Sequence, residues 1–336
     1  MVDPPDDVCQ RGQDARTAVG IDVGGSFVKF GVVDDNGAFL YQDSVATAEL
    51  RSVPRVLRYV AKRVHDWHSS TATATARPQA VGLAVPGVLD PIACQLREVV
   101  NLPGWLGVDL NAELQTAFRL NAAVLNDANA AALAEHQSRG LTSESLALVT
   151  LGTGVGCGLV VNGRPHGGDH GCAGELGHIA IEFGDEALPC TCGGRGHLES
   201  YVGASALVRR FAAYAQVKEA DLTPRDIALA AERNDSHAWQ VIEDTAERIG
   251  RAIGMLGQTI DPDVVLLGGA MTFGGKGTKV GERFLDWIRQ SVVATTLVQV
   301  GQNLTIDFAS HGNQAGLLGA ANFSLQRLGE GGGPTR

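Results

Sequence analysis

The sequence predicts an α/β protein built in two lobes, on three observations. With 336 residues and 44% apolar content, the chain can bury a large core, and at roughly 100–200 residues per domain it reads as two. Runs of β-branched residues bounded by Gly, Asn or Asp alternate with stretches of helical periodicity. One Gly-rich hairpin pattern also occurs twice, around residue 24 and again around residue 153.

In chain order, the β-branched runs place strands near 17–22, 28–34, 38–46, 80–85, 121–126, 145–151, 156–162, 263–268 and 303–308. Helical periodicity places helices at 50–68, 109–119, 127–138, 204–216, 237–258, 280–291 and 315–328. The polar start with Pro4 and Pro5 and the closing GEGGGPTR contain nothing to offset the entropy of ordering, so residues 1–16 and 329–336 are expected to be disordered.

The balance of 27 Lys and Arg against 37 Asp and Glu leaves a net charge of −10, which opposes attraction to nucleic acid or anionic lipid. No stretch reaches the ~18–20 unbroken apolar residues of a membrane span, and the start carries neither a basic n-region nor an apolar h-region. The expectation is a cytoplasmic protein with no nucleic-acid or membrane partner. Cys9, Cys94, Cys157 and Cys172 are irregularly spaced and read as small core or loop residues rather than a disulfide framework.

The repeated hairpin is AVGIDVGGSFVKFGVVDDNG against ALVTLGTGVGCGLVVNG. Each is an apolar strand, a Gly-rich turn and a second strand ending in Asn-Gly. A Gly-rich turn lets backbone N–H groups approach an anion with no Cβ in the way, so two such turns could clamp a polyphosphate; Asp22 and Lys29 flank the first. Either turn alone is equally an ordinary hairpin. The dinucleotide fingerprint G-x-G-x-x-G is absent, and Gly274-Gly275-Lys276-Gly277-Thr278 fails as a Walker A loop because Gly follows the Lys. Gly268 and Gly269, which end an apolar strand, would let an adenosine lie against the backbone, or form a plain strand-end turn.

Asn126 and Asp127 stand where an apolar strand gives way to an Ala-rich helix. A hydroxyl that accepts a phosphoryl group needs a carboxylate in hydrogen-bond reach, and an Asp at a strand end meets that demand. The competing reading is a helix N-cap by either residue. Further on, Cys190 and Cys192 stand close in sequence to His178 and His197. Two thiolates and two imidazoles suit tetrahedral Zn²⁺, and four protein ligands make the site structural; a pair of buried thiols is the alternative. Glu175 and Glu199 bracket the cluster, as acceptors for the hydroxyls of a polyol or as solvated loop acids.

These residues resemble the ROK group (repressors, open reading frames, kinases), within the actin–hexokinase superfamily. The likeness runs from Thr17 to about Leu328. It rests on Asp22-Val-Gly-Gly-Ser-Phe-Val-Lys29, Ala84-Val-Pro-Gly87, Asn101-Leu-Pro-Gly-Trp105, Asn126-Asp-Ala-Asn-Ala-Ala-Ala132, Leu151-Gly-Thr-Gly-Val-Gly156, Gly174-Glu-Leu-Gly-His178, CTCGGRGHLE and Gly268-Gly269. The resemblance implies two ribonuclease-H-like α/β lobes around a cleft, an N-terminal lobe of 17–125 joined by the helix at 315–328, and a second lobe of 126–314.

The resemblance also implies roles. Asp22, Gly24, Gly25, Ser26 and Lys29 would form a first phosphate and Mg²⁺ region, Gly152, Thr153 and Gly154 a second phosphate loop, and Gly268 and Gly269 an adenosine contact. Asn101, Asn126, Asp127, Glu175, His178 and Glu199 would form the sugar pocket, with Asp127 as base and His178 serving both sugar and zinc. Loss of metal is then expected to damage sugar binding and spare the ATP side.

Two departures stand out: His197 occupies the place of the family's third Cys, and Pro-Gly-Val-Leu-Asp at 86–90 lacks a frequent second Pro. Imidazole is a competent zinc ligand, so a His₂Cys₂ site can stand in for Cys₃His. The expected activity is ATP-dependent phosphorylation of a free hexose. Glucose is preferred because the Gly174–Glu199 block and the Gly154–Val160 hairpin most resemble the glucose-phosphorylating members; fructose, mannose and N-acetylmannosamine stay open. Repressors of the family carry a helix-turn-helix domain before the first motif, and with 21 residues ahead of Asp22 and an acidic chain that reading is disfavoured. Relatives suggest a homodimer or homotetramer.

Overall fold

The computed structural model describes residues 16–70, 77–99, 102–219 and 222–330. Asn101 and the termini at 1–15 and 331–336 lie outside the described residues, so the readings made for them have no structural counterpart here. Internal contacts divide the chain into two units. The first comprises Met1–Ala134, Gly167–Cys172 and Asn313–Arg336, the second Glu135–His166 and Ala173–Gly312.

The first unit begins with strands β1 (Thr17–Val23), β2 (Phe27–Asp34) and β3 (Phe39–Ala46), then helices α1 (Thr47–Leu50) and α2 (Val53–Ser70). It continues through β4 (Ala80–Val85), a small hairpin of β5 (Val88–Leu89) and β6 (Leu96–Glu98), helix α3 (Leu110–Phe118), β7 (Asn121–Asn126) and the start of α4 (Asp127–Ser138). The sheet order is β3-β2-β1-β4-β7, with β1 antiparallel to β2 and parallel to β4, and β4 parallel to β7.

The second unit repeats this plan. It holds β8 (Leu146–Leu151), β9 (Val155–Val161), β10 (Arg164–Pro165), α5 (Glu199–Val202), α6 (Ala204–Ala215), α7 (Pro224–Glu232) and α8 (Ser236–Ile260). Strand β11 (Val264–Gly268), helices α9 (Lys279–Thr295) and α10 (Val298–Asn303), and β12 (Thr305–Phe308) complete it. Its sheet runs β10-β9-β8-β11-β12, with β8 antiparallel to β9 and parallel to β11, and β11 parallel to β12. The repeated hairpin of the sequence is therefore a repeated place in the topology: β1–β2 in one sheet, β8–β9 in the other. The Asn-Gly pairs close the next turn in each, with Gly37 at φ 81°, Asn162 at 51° and Gly163 at 73°, the left-handed backbone that Asn and Gly tolerate best.

Helix α11 (Ala315–Gly329) returns to the first sheet and packs on β1 and β4. Alternation along β1 explains how. Val19, Ile21 and Val23 face a core shared with Val56, Leu57 and Val60 of α2, while Ala18 faces Leu317, Leu318 and Ala321 of α11. On the α11 side the residues are small by necessity: a Cβ on Gly82 would stand 1.8 Å from the carbonyl oxygen of Ala320, and one on Gly20 2.3 Å from that of Leu317. With helices on both faces, β1 and β4 read as continuous apolar runs.

All nine expected strands form. The last is shorter than 303–308 because Val298–Asn303 is helical and strand begins at Thr305. The helix expected at 50–68 is broken at Arg51, whose φ of 52° ends α1 before α2 starts at Val53. Helix α7 was not anticipated, although Thr223 caps it, Pro224 opens it and Asp226 closes a reciprocal capping box, all sequence-readable signals. No helix among the described residues is long and apolar enough to cross a membrane.

Candidate functional site

In a parallel arrangement, the carboxyl ends of neighbouring strands open on one sheet edge, where side chains of the following turns converge. In the first unit that edge carries Asp22, in register with Ala84 of β4, and Asn126, in register with Val85. Asp22 also faces Lys29 across the β1–β2 hairpin, with Nζ 3.7 Å from Oδ2. Burial pushes the Asp22 carboxyl above its ordinary value, and Lys29 offsets part of that rise. The space for this carboxylate comes from Gly316, where a Cβ would lie 2.8 Å from it.

The turn after Asp22 is closed by Gly24 N–H donating to the Phe27 carbonyl at 2.9 Å. Thr47, a residue that sequence reasoning did not single out, pins it from α1: its hydroxyl donates to the Gly24 carbonyl at 2.7 Å and its N–H to that of Ser26 at 2.9 Å. Gly25 and Ser26 are left exposed at the tip. Such a tip offers backbone donors to an anion with Lys29 at its base.

At the β7–α4 junction the cap and the carboxylate separate. Asn126 Oδ1 accepts from the N–H groups of Ala128 at 2.9 Å and Asn129 at 3.2 Å, and its Nδ2 donates to the Gly87 carbonyl at 3.1 Å. Asn126 is thus the N-cap and ties down the Pro86-Gly87 turn. Asp127 follows as the first helical residue, with Oδ1 accepting from Ala128 N–H at 2.8 Å.

In the second unit a cavity of about 450 Å³ is lined by Gly152, Thr153 and Gly154, by Glu175, His178 and Glu199, and by Gly269. Candidate phosphate-loop, polyol and adenosine residues of this unit therefore meet in one place; Gly268 stands just behind, at the end of β11. Gly269 has a fold-level reason to be glycine, because φ is 88° and a Cβ would lie 2.2 Å from the Leu151 carbonyl oxygen. Thr150 also lines the cavity and was not anticipated; a Cβ on Gly156 would lie 2.7 Å from its hydroxyl.

Glu175 and His178 are brought together by a 3₁₀ turn, Leu176–His178, held against β9. Gly174 and Gly177 permit that contact, since Cβ atoms there would lie 2.4 Å and 2.3 Å from the carbonyl oxygens of Cys157 and Val155. The result sets His178 Nε2 4.0 Å from Glu175 Oε2. The other ring nitrogen, Nδ1, points to Cys190 Sγ at 3.6 Å, and Cys192 Sγ lies 3.2 Å from His197 Nδ1.

The four donor atoms of His178, Cys190, Cys192 and His197 lie within 4.8 Å of one another. Tetrahedral Zn²⁺, with bonds of about 2.3 Å to S and 2.0 Å to N, separates its donors by roughly 3.3–3.8 Å, so this set fits the ion. Burial pushes the Cys190 thiol up, but hydrogen bonds from Cys192, His197 and His178 outweigh it and hold the thiol at about 6. A thiolate at neutral pH is the form that binds metal. The intervening Gly residues shape the loop: Gly193 N–H donates to the Cys190 carbonyl at 3.0 Å, and a Cβ on Gly194 would lie 2.3 Å from the His197 ring. Cys157, by contrast, is buried in β9 with its thiol pushed up to about 12 by that burial and by Glu175.

Comparison with known proteins bears on these features together. The model of the ROK family matches residues 18–327. A glucokinase of Halalkalibacterium halodurans is 30% identical, over 90% of this chain and 93% of that one. A xylose repressor of Caldicellulosiruptor bescii is 26% identical, over 92% of this chain and 78% of its own length. Among solved structures, a ROK hexokinase from Thermus thermophilus superposes with a TM-score of 0.77 at 29% identity, covering 94% of this chain and 99% of the other. A ROK glucokinase from Streptomyces griseus, solved with glucose and AMPPNP, gives 0.70 at 27%, covering 92% and 99%. Glycine turns, cap, carboxylates and Cys/His cluster all fall inside the matched span, and the chain belongs to the ROK family.

Proposed function

We propose that the protein transfers the γ-phosphoryl group of ATP to a free hexose, glucose first among the candidates. The observation that carries this reading is the cavity in which Glu175, His178 and Glu199, acceptors suited to the hydroxyls of a polyol, stand beside the glycine turn Gly152–Gly154 and Gly269. The Streptomyces griseus relative holds the corresponding pair of ligands, a hexose and an ATP analogue.

In this reading Asp127 accepts the proton of the attacking hydroxyl, and Asn126, occupied by the cap and by Gly87, holds the helix start in place. Backbone N–H groups of the Gly152–Gly154 turn would meet the phosphates, and the Gly24–Ser26 turn, with Lys29 at its base, is a second candidate of the same kind. Mg²⁺ bound with ATP would neutralise charge on the phosphates, and Asp22 would be the residue to hold it. Zn²⁺ at His178, Cys190, Cys192 and His197 would order the loop that carries Glu175 and Glu199, and His178 bound through Nδ1 keeps Nε2 for a hydroxyl.

A difference of one hydroxyl between hexoses is decided by hydrogen-bond donors and acceptors in the pocket. Glucose is put ahead of fructose, mannose or N-acetylmannosamine because the block from Gly174 to Glu199 most resembles that of the glucose-phosphorylating members. A coupled assay of these sugars with Mg-ATP tests it: the highest kcat/KM is expected for glucose. Turnover confined to another sugar would replace the substrate, and no turnover with any sugar would overturn the kinase reading in favour of a sugar-binding regulator like the xylose repressors.

A further inference from the structure

Glu199 does more in this fold than face the cavity. Its Oε2 accepts a hydrogen bond from the backbone N–H of Val155 at 3.0 Å, the residue that ends the Gly152–Gly154 turn and begins β9. The approach is possible because residue 154 is glycine: a Cβ there would lie 2.1 Å from the same oxygen. Two further contacts hold the turn from the same segment. Ala204 N–H donates to the Gly152 carbonyl at 3.0 Å, and Gly203 passes so close that a Cβ would lie 2.7 Å from the Thr153 carbonyl oxygen.

The segment that carries the carboxylate is itself held. Leu198, fully buried just before it, donates its N–H to the Ile179 carbonyl at 3.0 Å, and the Tyr201 hydroxyl two residues on accepts from Leu188 N–H at 2.8 Å. Oε1 takes no hydrogen bond among the described residues. Glu175, in contrast, lies 4.0 Å from His178 Nε2 and forms no hydrogen bond to the turn among the described residues.

We infer that Glu199 is the positioning residue of the second phosphate turn: one carboxylate oxygen sets the turn's geometry while the other is left for a substrate hydroxyl, so that occupancy of the sugar site is read directly by the phosphate site. The inference rests on the kinase reading above. It also reverses one expectation from the sequence, that damage to the Cys/His loop spares the ATP side. His197, Leu198 and Glu199 are consecutive, and the segment they begin is the one that props the turn.

The test uses the full-length protein without sugar, with AMPPNP binding measured by calorimetry and amide exchange at Val155 by mass spectrometry or NMR. Glu199→Ala is expected to speed Val155 exchange and to weaken AMPPNP binding tenfold or more, the order of one hydrogen bond to a charged group. Glu199→Gln keeps an acceptor oxygen and should stay within about threefold of wild type for AMPPNP while raising the KM for sugar. Gly154→Ala, which drives the carboxylate off from the other side, should reproduce the Glu199→Ala effect. Glu175→Gln should weaken sugar alone. An active wild-type kinase whose Glu199→Ala variant binds AMPPNP normally, with Val155 still protected, would overturn the inference and leave the kinase reading intact. A wild-type chain that binds no AMPPNP would overturn both.

Discussion

Neighbouring residues 126 and 127 divide two tasks that the sequence left undivided. Asn126 takes the cap with one amide oxygen serving two N–H groups, so the helix does not depend on the Asp127 carboxylate for that purpose. Asp127→Asn should therefore lower kcat by at least ~10²-fold, the lower range for a positioned general base, with sugar affinity changed only a few-fold; steady-state kinetics with glucose and ATP check it, and retention of a tenth of wild-type turnover would remove Asp127 from the role. Asp22 makes the opposite kind of statement. Its folded-state pKa is raised by burial above 3.8, so the folded protein binds its proton more tightly than the unfolded chain, and stability falls as pH rises from the unfolded value through the folded one. Above that window the full cost is present. Asp22→Asn should then melt higher than wild type at neutral pH while losing phosphoryl transfer, and the difference should shrink near pH 4. Paired melts at the two pH values decide it, and a variant less stable at pH 7 would show that the Lys29 pair outweighs burial.

At the scale of elements, the loop from Gly174 to Gly203 acts as one piece. Its candidate ligands fall within about twenty residues, from His178 to His197, which is why the cluster was legible in sequence: local spacing and ligand chemistry were enough. Its attachment to the turn was not legible, because the bond from Val155 to Glu199 joins residues 44 apart and depends on where a sheet edge and a helix start meet. The same holds for Thr47 and the first turn, 23 residues from Gly24. Strands were read correctly wherever apolar runs were bounded by turn residues. The helix at Val298–Asn303 was missed because it is short and has no buried face of its own. Since a closed metal site contributes folding free energy, Cys190→Ser is expected to lose zinc, to melt at lower temperature and to raise the KM for both hexose and ATP. Elemental analysis of wild type should find about one zinc per chain; an active preparation well below that would show that His178, Cys190, Cys192 and His197 hold the loop without metal.

Across the whole molecule, two sheets of one topology each present a glycine turn after the first strand, and the chain around them carries a net charge of −10. These facts set different requirements for phosphoryl donors. In the proposed reading ATP is short enough to be held by backbone N–H groups of a glycine turn, at a range of a few ångströms that salt screens little. Inorganic polyphosphate reaches farther. A chain of many phosphates must run beyond the turns over an acidic protein, where each additional charge is repelled and where no excess of Lys or Arg rewards it with counterion release. At an ionic strength near 0.01 M the screening length is about 30 Å, against about 8 Å at 0.15 M, so that repulsion should be largest in dilute buffer and should fade as salt is added. The prediction is that ATP supports hexose phosphorylation at every ionic strength, while polyphosphate gives under a hundredth of that rate in dilute buffer and recovers only in part with salt. Glucose 6-phosphate formation with each donor, measured across a salt series, checks it. Equal rates with polyphosphate in dilute buffer would mean that donor choice is set inside the turns themselves, and that the charge of the molecule as a whole has no part in it.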